Sequence, residues 1–327
     1  MGCYIDVDDV HIGRKLPLLK RLWKTDVPLT MTGVLMLPAL AIAAVGLIVD
    51  PRLITGAPAW LKPAKFALSI AIYVFTLAWM FTFIPGFKKT RRIVGWVTAI
   101  VMVLELSIIS LQAWRGTTRH FNFSTRLNAA LFAVMGMAIV LQTVASIAIA
   151  IALWREKFED QALGWALRLA MIITIIGAFS GGLMTRPTTD QLAAAHAGQA
   201  MPLMGAHTVG APDGGAGIPG TGWSVEHGDL RIPHFIGLHA LQALPLFAWV
   251  LRRRRLPADS KVRLTLTAAG SYLALFAILL AQALRGQPVL NPDALTMETL
   301  GVWAAVTAIC AWRSVARVQT VGTLELV

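Results

Sequence analysis

The sequence predicts an all-α integral membrane protein with eight transmembrane helices, arranged as two parallel tandem four-helix units. Three observations carry this. Of 327 residues, 56% are hydrophobic and 14% charged, more apolar surface than a soluble domain can bury. Eight apolar runs each approach the ~20 residues a helix needs to cross a bilayer. Positive charge gathers in alternate connections.

The runs lie near 28–49, 63–84, 93–114, 127–153, 165–185, 233–251, 263–284 and 295–312. Arg14, Lys15, Lys20, Arg21 and Lys24 precede the first, and Lys88, Lys89, Arg91 and Arg92 follow the second. Arg155 and Lys157 follow the fourth, Arg252–Arg255 and Lys261 the sixth, and Arg313 and Arg317 the last. With eight spans all of these share one face. The positive-inside rule makes that face cytoplasmic, with both termini inside and the chain multi-pass in the inner membrane. The net charge of +12 is then a topology signal, with the lipid bilayer as partner and no nucleic acid. The first 27 residues contain no apolar signal core, and Asp6 stands where a myristoylation motif needs Ser or Thr. Cys3 and Cys310, far apart in sequence, provide neither a disulfide framework nor a CxxC site.

The chain divides into a cytoplasmic segment 1–27, a first unit 28–154 and a second unit 155–327. Three outer connections are short. The fourth, 186–232, is long, opens with a short amphipathic helix at 188–200 and continues through the flexible Gly/Pro-rich run GAPDGGAGIPGTG. Loops of this length serve as lids or binding loops. The two units are read from an offset of 170 residues: ten of 54 positions are identical between 63–116 and 233–286. Four of the ten fall in Gln112-Ala113-Trp114-Arg115-Gly116 against Gln282-Ala283-Leu284-Arg285-Gly286. Parallel repeats of this kind are related by an axis along the membrane normal.

Polar residues inside apolar runs point to a site, because hydrocarbon penalises them unless they meet a partner, ligand or water. In GDLRIPHFIGLHALQALPLFAW (228–249), Asp229, His234 and His239 are candidate acid/base groups, with Glu105 in the third run as a fourth. Gln242 shares the face of His239, and Pro245 should kink the helix beyond them. Gln112 lies seven residues beyond Glu105, on the same face. Arg115, Arg119, His120 and Arg126, with Lys62, Lys65, Arg186 and Arg231, form a ring of cations at one level. Such a ring suits a small anionic or lipid-borne ligand, or haem propionates, and equally suits snorkelling to lipid headgroups. For a haem, His239 and His120 are candidate axial ligands, with Arg115, Arg119, Arg231, Gln112 and Gln242 around it. For a divalent metal, His207, His227 and His234, with Asp213 and Asp229, carry suitable atoms without a fixed short spacing. His239 has an alternative reading as a group satisfied by interhelical hydrogen bonds.

WLKPAKFALS, QAWRGTTRHFN and GDLRIPHFIGLHALQ together resemble a family of uncharacterised bacterial multi-spanning membrane proteins, over about residues 53–254. The resemblance implies no activity. In architecture alone, two tandem four-helix bundles with histidines toward the outer face are similar to the haem A synthases. Those carry histidines in both halves and a cysteine pair in an outer loop. Here Ser69 stands opposite His239 in the repeat and the outer loops lack cysteine, so no catalytic residue is carried over. Three function classes stay open: a haem or metal redox protein, a membrane-embedded enzyme, and a transporter or channel for a small anion or proton-coupled solute. The polar residues crowd one side of the membrane, which favours the first two.

Overall fold

The computed structural model describes residues 17–118 and 120–324. Arg119 among the site candidates, and Cys3, Arg14 and Lys15 of the N-terminal segment, lie outside the described residues. In chain order the elements are helix α1 (Leu18–Thr25), α2 (Val27–Val49), a two-strand hairpin β1 (Leu53–Ile54) and β2 (Ala57–Pro58), then α3 (Leu61–Phe81), α4 (Lys88–Trp114), α5 (Arg126–Arg155) and α6 (Gln161–Gly181). A short α7 (Thr189–His196) and a hairpin of β3 (Thr208–Val209) with β4 (Gly228–Asp229) follow, and α8 (Arg231–Arg252), α9 (Ala258–Leu284) and α10 (Ala294–Leu324) complete the fold. Among the described residues, eight helices are long and apolar enough to cross a membrane.

Helices α2, α5 and α6 start where a side chain can satisfy the free N–H groups of a first turn. Asp26 accepts from Leu29 N at 2.9 Å, Thr125 from Asn128 N at 3.2 Å, and Asp160 from Leu163 N at 3.1 Å. Several helices begin earlier than their apolar runs, because a basic first turn such as Lys88–Arg92 keeps the backbone ladder while its side chains reach water. Helix α1 is not marked by hydropathy, yet LLKRLWKT buries Leu22 against the bundle. Helix α8 continues through Pro245.

Helix α2 packs on α3 and α4, and α6 packs on α8 and α9. The α4–α5 and α9–α10 pairs extend these groups, and α5 against α6 joins the halves. The larger core holds Leu29, Val74, Leu77, Phe81, Ile149 and Leu153, all fully buried or nearly so. The second core is rich in small residues, Ala166, Ala170, Ala240, Ala248 and Ala269, around Ile173 and Leu244. Small side chains let helix backbones approach closely, the usual basis of helix association in lipid.

Helices α3 and α4 start 170 residues before α8 and α9, respectively. The ends of α4 and α9 close in the same way. Gln112 Nε2 donates to Thr118 O and Gln282 Nε2 to Pro288 O, while Gly116 and Gly286 take φ of +68° and +72°. Arg115 then reaches Asn128 at the start of α5, and Arg285 reaches Asp293 and Thr296 at the start of α10.

Candidate functional site

The 186–232 connection folds into a cap on one end of the bundle. Thr188 and Gln191 form a reciprocal capping box at the start of α7, which ends sooner than the 188–200 reading because Gly198 turns the chain at φ +72°. The Gly/Pro-rich run, expected to be flexible, is a hairpin: Ile218 N donates to Trp223 O at 2.7 Å and Val225 N to Ala216 O at 3.1 Å. Glycines there supply the turns, Gly214 at φ +110° among them, and Gly56 on the facing turn leaves room for Gly214 O, which a Cβ would approach to 2.9 Å. Phe123 N donates to Pro202 O and Met204 N to Phe121 O, which stitch the cap to the connection before α5.

Asp229 anchors the base of the cap. It is 1% exposed and accepts from Ser224 N, from Arg231 N and from the Arg231 guanidinium. The same guanidinium donates to Gly222 O, tying the cap to the head of α8. An Asn here keeps the shape and loses the charge. Asp229→Asn is therefore expected to destabilise the cap by ~1–3 kcal/mol and to speed limited proteolysis within 210–222, with the helices still protected. Unchanged cleavage rates would show that the cap is held elsewhere.

Within the cap, Asp213 and His207 form a short polar pair. His207 Nδ1 lies 2.5 Å from Asp213 Oδ2, and the carboxylate also accepts from His207 N at 3.0 Å and Thr208 N at 2.9 Å. Burial opposes ionisation of Asp213, but the His207 ring and the two backbone N–H groups outweigh it and hold the carboxyl well below the usual range. A carboxylate only accepts, so His207 must donate from Nδ1 and keep its lone pair on Nε2. Burial lowers the imidazole below its ordinary value, Asp213 opposes this, and Lys62 and Arg231 add to the lowering. His207 thus stands near neutral pH as an oriented base.

The His120 ring lies 6.0 Å from His207, centroid to centroid, and Phe121 lies 5.0 Å from it. Lys62 Nζ is 3.1 Å from His120 Nδ1. An ammonium can only donate, which leaves His120 with its proton on Nε2. One group of side chains therefore contains an imidazole lone pair and an imidazole N–H. Lys65 and Arg231 stand at the same level, Lys65 donating to Thr221 O of the cap.

The other candidates take different places. His234 gives Nδ1 to Gly177 O at 2.8 Å and lies over Gly181, as a clasp between α6 and α8. His239 pairs with Gln242 at 3.2 Å and its ring touches Phe235, while Gln242 reaches Thr76 on α3. Arg115 donates to Gln112 and Asn128, closing the α4–α5 corner. His227 is held through its backbone by Ser224. Among the described residues no three His, Cys, Asp or Glu side chains converge as metal ligands, so His207, His227 and His234 stand apart. Glu105 is buried on α4, below Lys62.

No family model, curated protein or solved structure matches this chain.

Proposed function

We propose that the protein is a membrane-embedded enzyme that performs general acid–base chemistry on a small anionic or lipid-borne substrate under the 186–232 cap. The observation that carries this reading is the Asp213–His207 pair, which leaves His207 Nε2 as an oriented base beside a second imidazole. His207 takes a proton from a substrate hydroxyl or from water, and His120 gives its Nε2 proton to the leaving atom as the Lys62 ammonium passes one to His120 Nδ1; exchange with solvent then moves the proton off His207 and restores the Lys62 ammonium. Lys65 and Arg231 supply positive charge for an anionic group, although Asp229 already neutralises much of the latter. General acid–base groups of this kind contribute ~10²–10⁴-fold to rate.

We also take the two halves to be copies of one four-helix unit, supported by the shared 170-residue offset of helix starts and the matching closures at Gly116 and Gly286. The lysine- and arginine-rich end faces the cytoplasm and the cap faces outward, by the positive-inside rule. The copies then differ at the chemistry, since Lys62, Glu105 and His120 all lie in the first half, and the second contributes the cap.

The test is turnover of a bacterial lipid extract by the protein in liposomes, followed by mass spectrometry of the products. His207→Asn should lose turnover while still running as a monodisperse folded protein in detergent. Products formed equally fast by the variant would remove His207 from the chemistry and this reading with it.

A further inference from the structure

The interior of the first four-helix unit contains polar residues that the chemistry at His207 does not use. On α4, Gln112, Glu105 and Thr98 recur every seven residues, which places them on one stripe. All three are buried, Glu105 at 3% exposure and the other two fully. On α5, Asn128 and Gln142 stand two heptads apart and Ser146 follows one turn later, all buried. Gln142 Nε2 donates to Tyr73 OH at 2.8 Å, on the face of α3 that also bears Lys62.

Three atoms in this interior have no hydrogen-bond partner: Glu105 Oε1, Thr98 Oγ1 and Gln142 Oε1. A buried polar atom without a partner costs about 1–3 kcal/mol, so each of the three points to a water beside it. The 170-residue counterparts of Thr98, Glu105 and Tyr73 are Ala268, Leu275 and Ala243, so the second half is apolar at the same places. At the cap end the stripe runs into further polar residues. Gln112 at the top meets Asn128 and Thr118 under the connection before α5, and Lys62 acts on Glu105 from α3 while contacting His120. Toward the other end Val74, Leu77, Phe81, Val94 and Ile149 form a contiguous apolar core, and the buried Asp26 carboxylate lies against Gly95 at its edge.

We propose that this interior is a water-lined proton half-path, open to the cap side and closed toward the basic end, with Glu105 as its carrier group and Lys62 as its link to His120. The carboxyl of Glu105 takes a proton, holds it in the membrane interior and releases it to a water beside Lys62. The proton count is unchanged by each exchange, and no co-reactant is needed. The proposal stands apart from the chemistry at His207, because its readout requires no turnover.

Infrared spectroscopy of the protein in liposomes tests it. A protonated-carboxyl stretch should be present near neutral pH, vanish in Glu105→Gln and move in Glu105→Asp. On transfer to D₂O that band should shift promptly, and Lys62→Met should slow the shift by ~10-fold or more. Dye-loaded liposomes should show no added proton leak, because the path is closed at one end. A band that never exchanges would mean a sealed structural carboxyl, and no band at all would mean a fixed carboxylate; either overturns the proposal. A leak lost in Glu105→Gln would overturn the half-path in favour of a through-path. Exchange unaffected by Lys62→Met would remove Lys62 as the link.

Discussion

Gly177→Val is expected to abolish folded protein, whereas Gly136→Ala is expected to leave it intact. Helices α6 and α8 meet backbone to backbone at Gly177 and Gly237. A Cβ on Gly177 would fall 2.5 Å from the carbonyl carbon of Gly237, and one on Gly237 would fall 2.5 Å from Gly177 Cα. Neither contact can be relieved by turning a side chain, so the helices would have to separate. Separation also pulls His234 Nδ1 from Gly177 O and Thr174 Oγ1 from Leu238 O. Overpacking in ordinary cores costs about 1–3 kcal/mol, and a backbone clash at the tightest helix pair should exceed that range. Gly136, also within a membrane-crossing helix, has no atom within 4 Å of where a Cβ would be built. Its replacement by Ala should shift stability by no more than about 1 kcal/mol, in the favourable direction. Size-exclusion profiles and melting curves in detergent check both. A monodisperse Gly177→Val protein with an unchanged melting temperature would show that the helices are not held at this contact.

The eight spans and their alternation were legible because hydrocarbon imposes a length and a composition that a sequence displays directly. The ends were less legible, since Lys88–Arg92 reads as a loop by hydropathy and is helical by backbone. The cap shows a different limit. GAPDGGAGIPGTG reads as flexible by composition, and only the tertiary partners Thr55, Trp223 and Ser224 reveal a folded hairpin. At the site, His120 and Arg231 were singled out as cofactor-binding candidates and His207 as a metal-ligand candidate, by residue type and position. Their partners were not, because which carboxylate meets which imidazole depends on how the cap folds back. Asp213 lies six residues from His207 in sequence, but so does many an unrelated pair. Arg115 and His234 attracted functional readings by residue type, and both make contacts that hold helices together. The heptad stripe of Thr98, Glu105 and Gln112 was readable in principle from polar residues seven apart within an apolar run. Only Glu105 and Gln112 stood out, since a lone Thr in a membrane helix often satisfies itself on the backbone one turn back. Thr98 differs in that its hydroxyl has no partner.

Asp213→Asn should lower turnover by ~10²–10⁴-fold, about as much as His207→Asn. The carboxylate fixes the His207 tautomer through a 2.5 Å contact and is itself held by two backbone N–H groups. An amide in the same place presents either a weaker acceptor or an N–H donor, and a donor turns the imidazole to the wrong tautomer. If the two residues act as one unit, the double variant should be no slower than His207→Asn alone, and additive losses would separate their roles. The pH profile has a definite sign. His207 works as the neutral base, and burial holds its value below the ordinary 6.5. Turnover should then be flat near neutral pH and fall on an acid limb lying below 6.5. Stability follows the same direction: a lowered value means the unfolded chain binds the proton first. The contribution of His207 is thus fully present above 6.5 and is lost as pH falls through its lowered value, whereas that of Asp213 persists until below its ordinary 3.8. Asp213 is what raises His207 against burial, so in Asp213→Asn any residual turnover should have its acid limb displaced to still lower pH. A limb that stays in place, or moves upward, would mean that the titrating group is another residue.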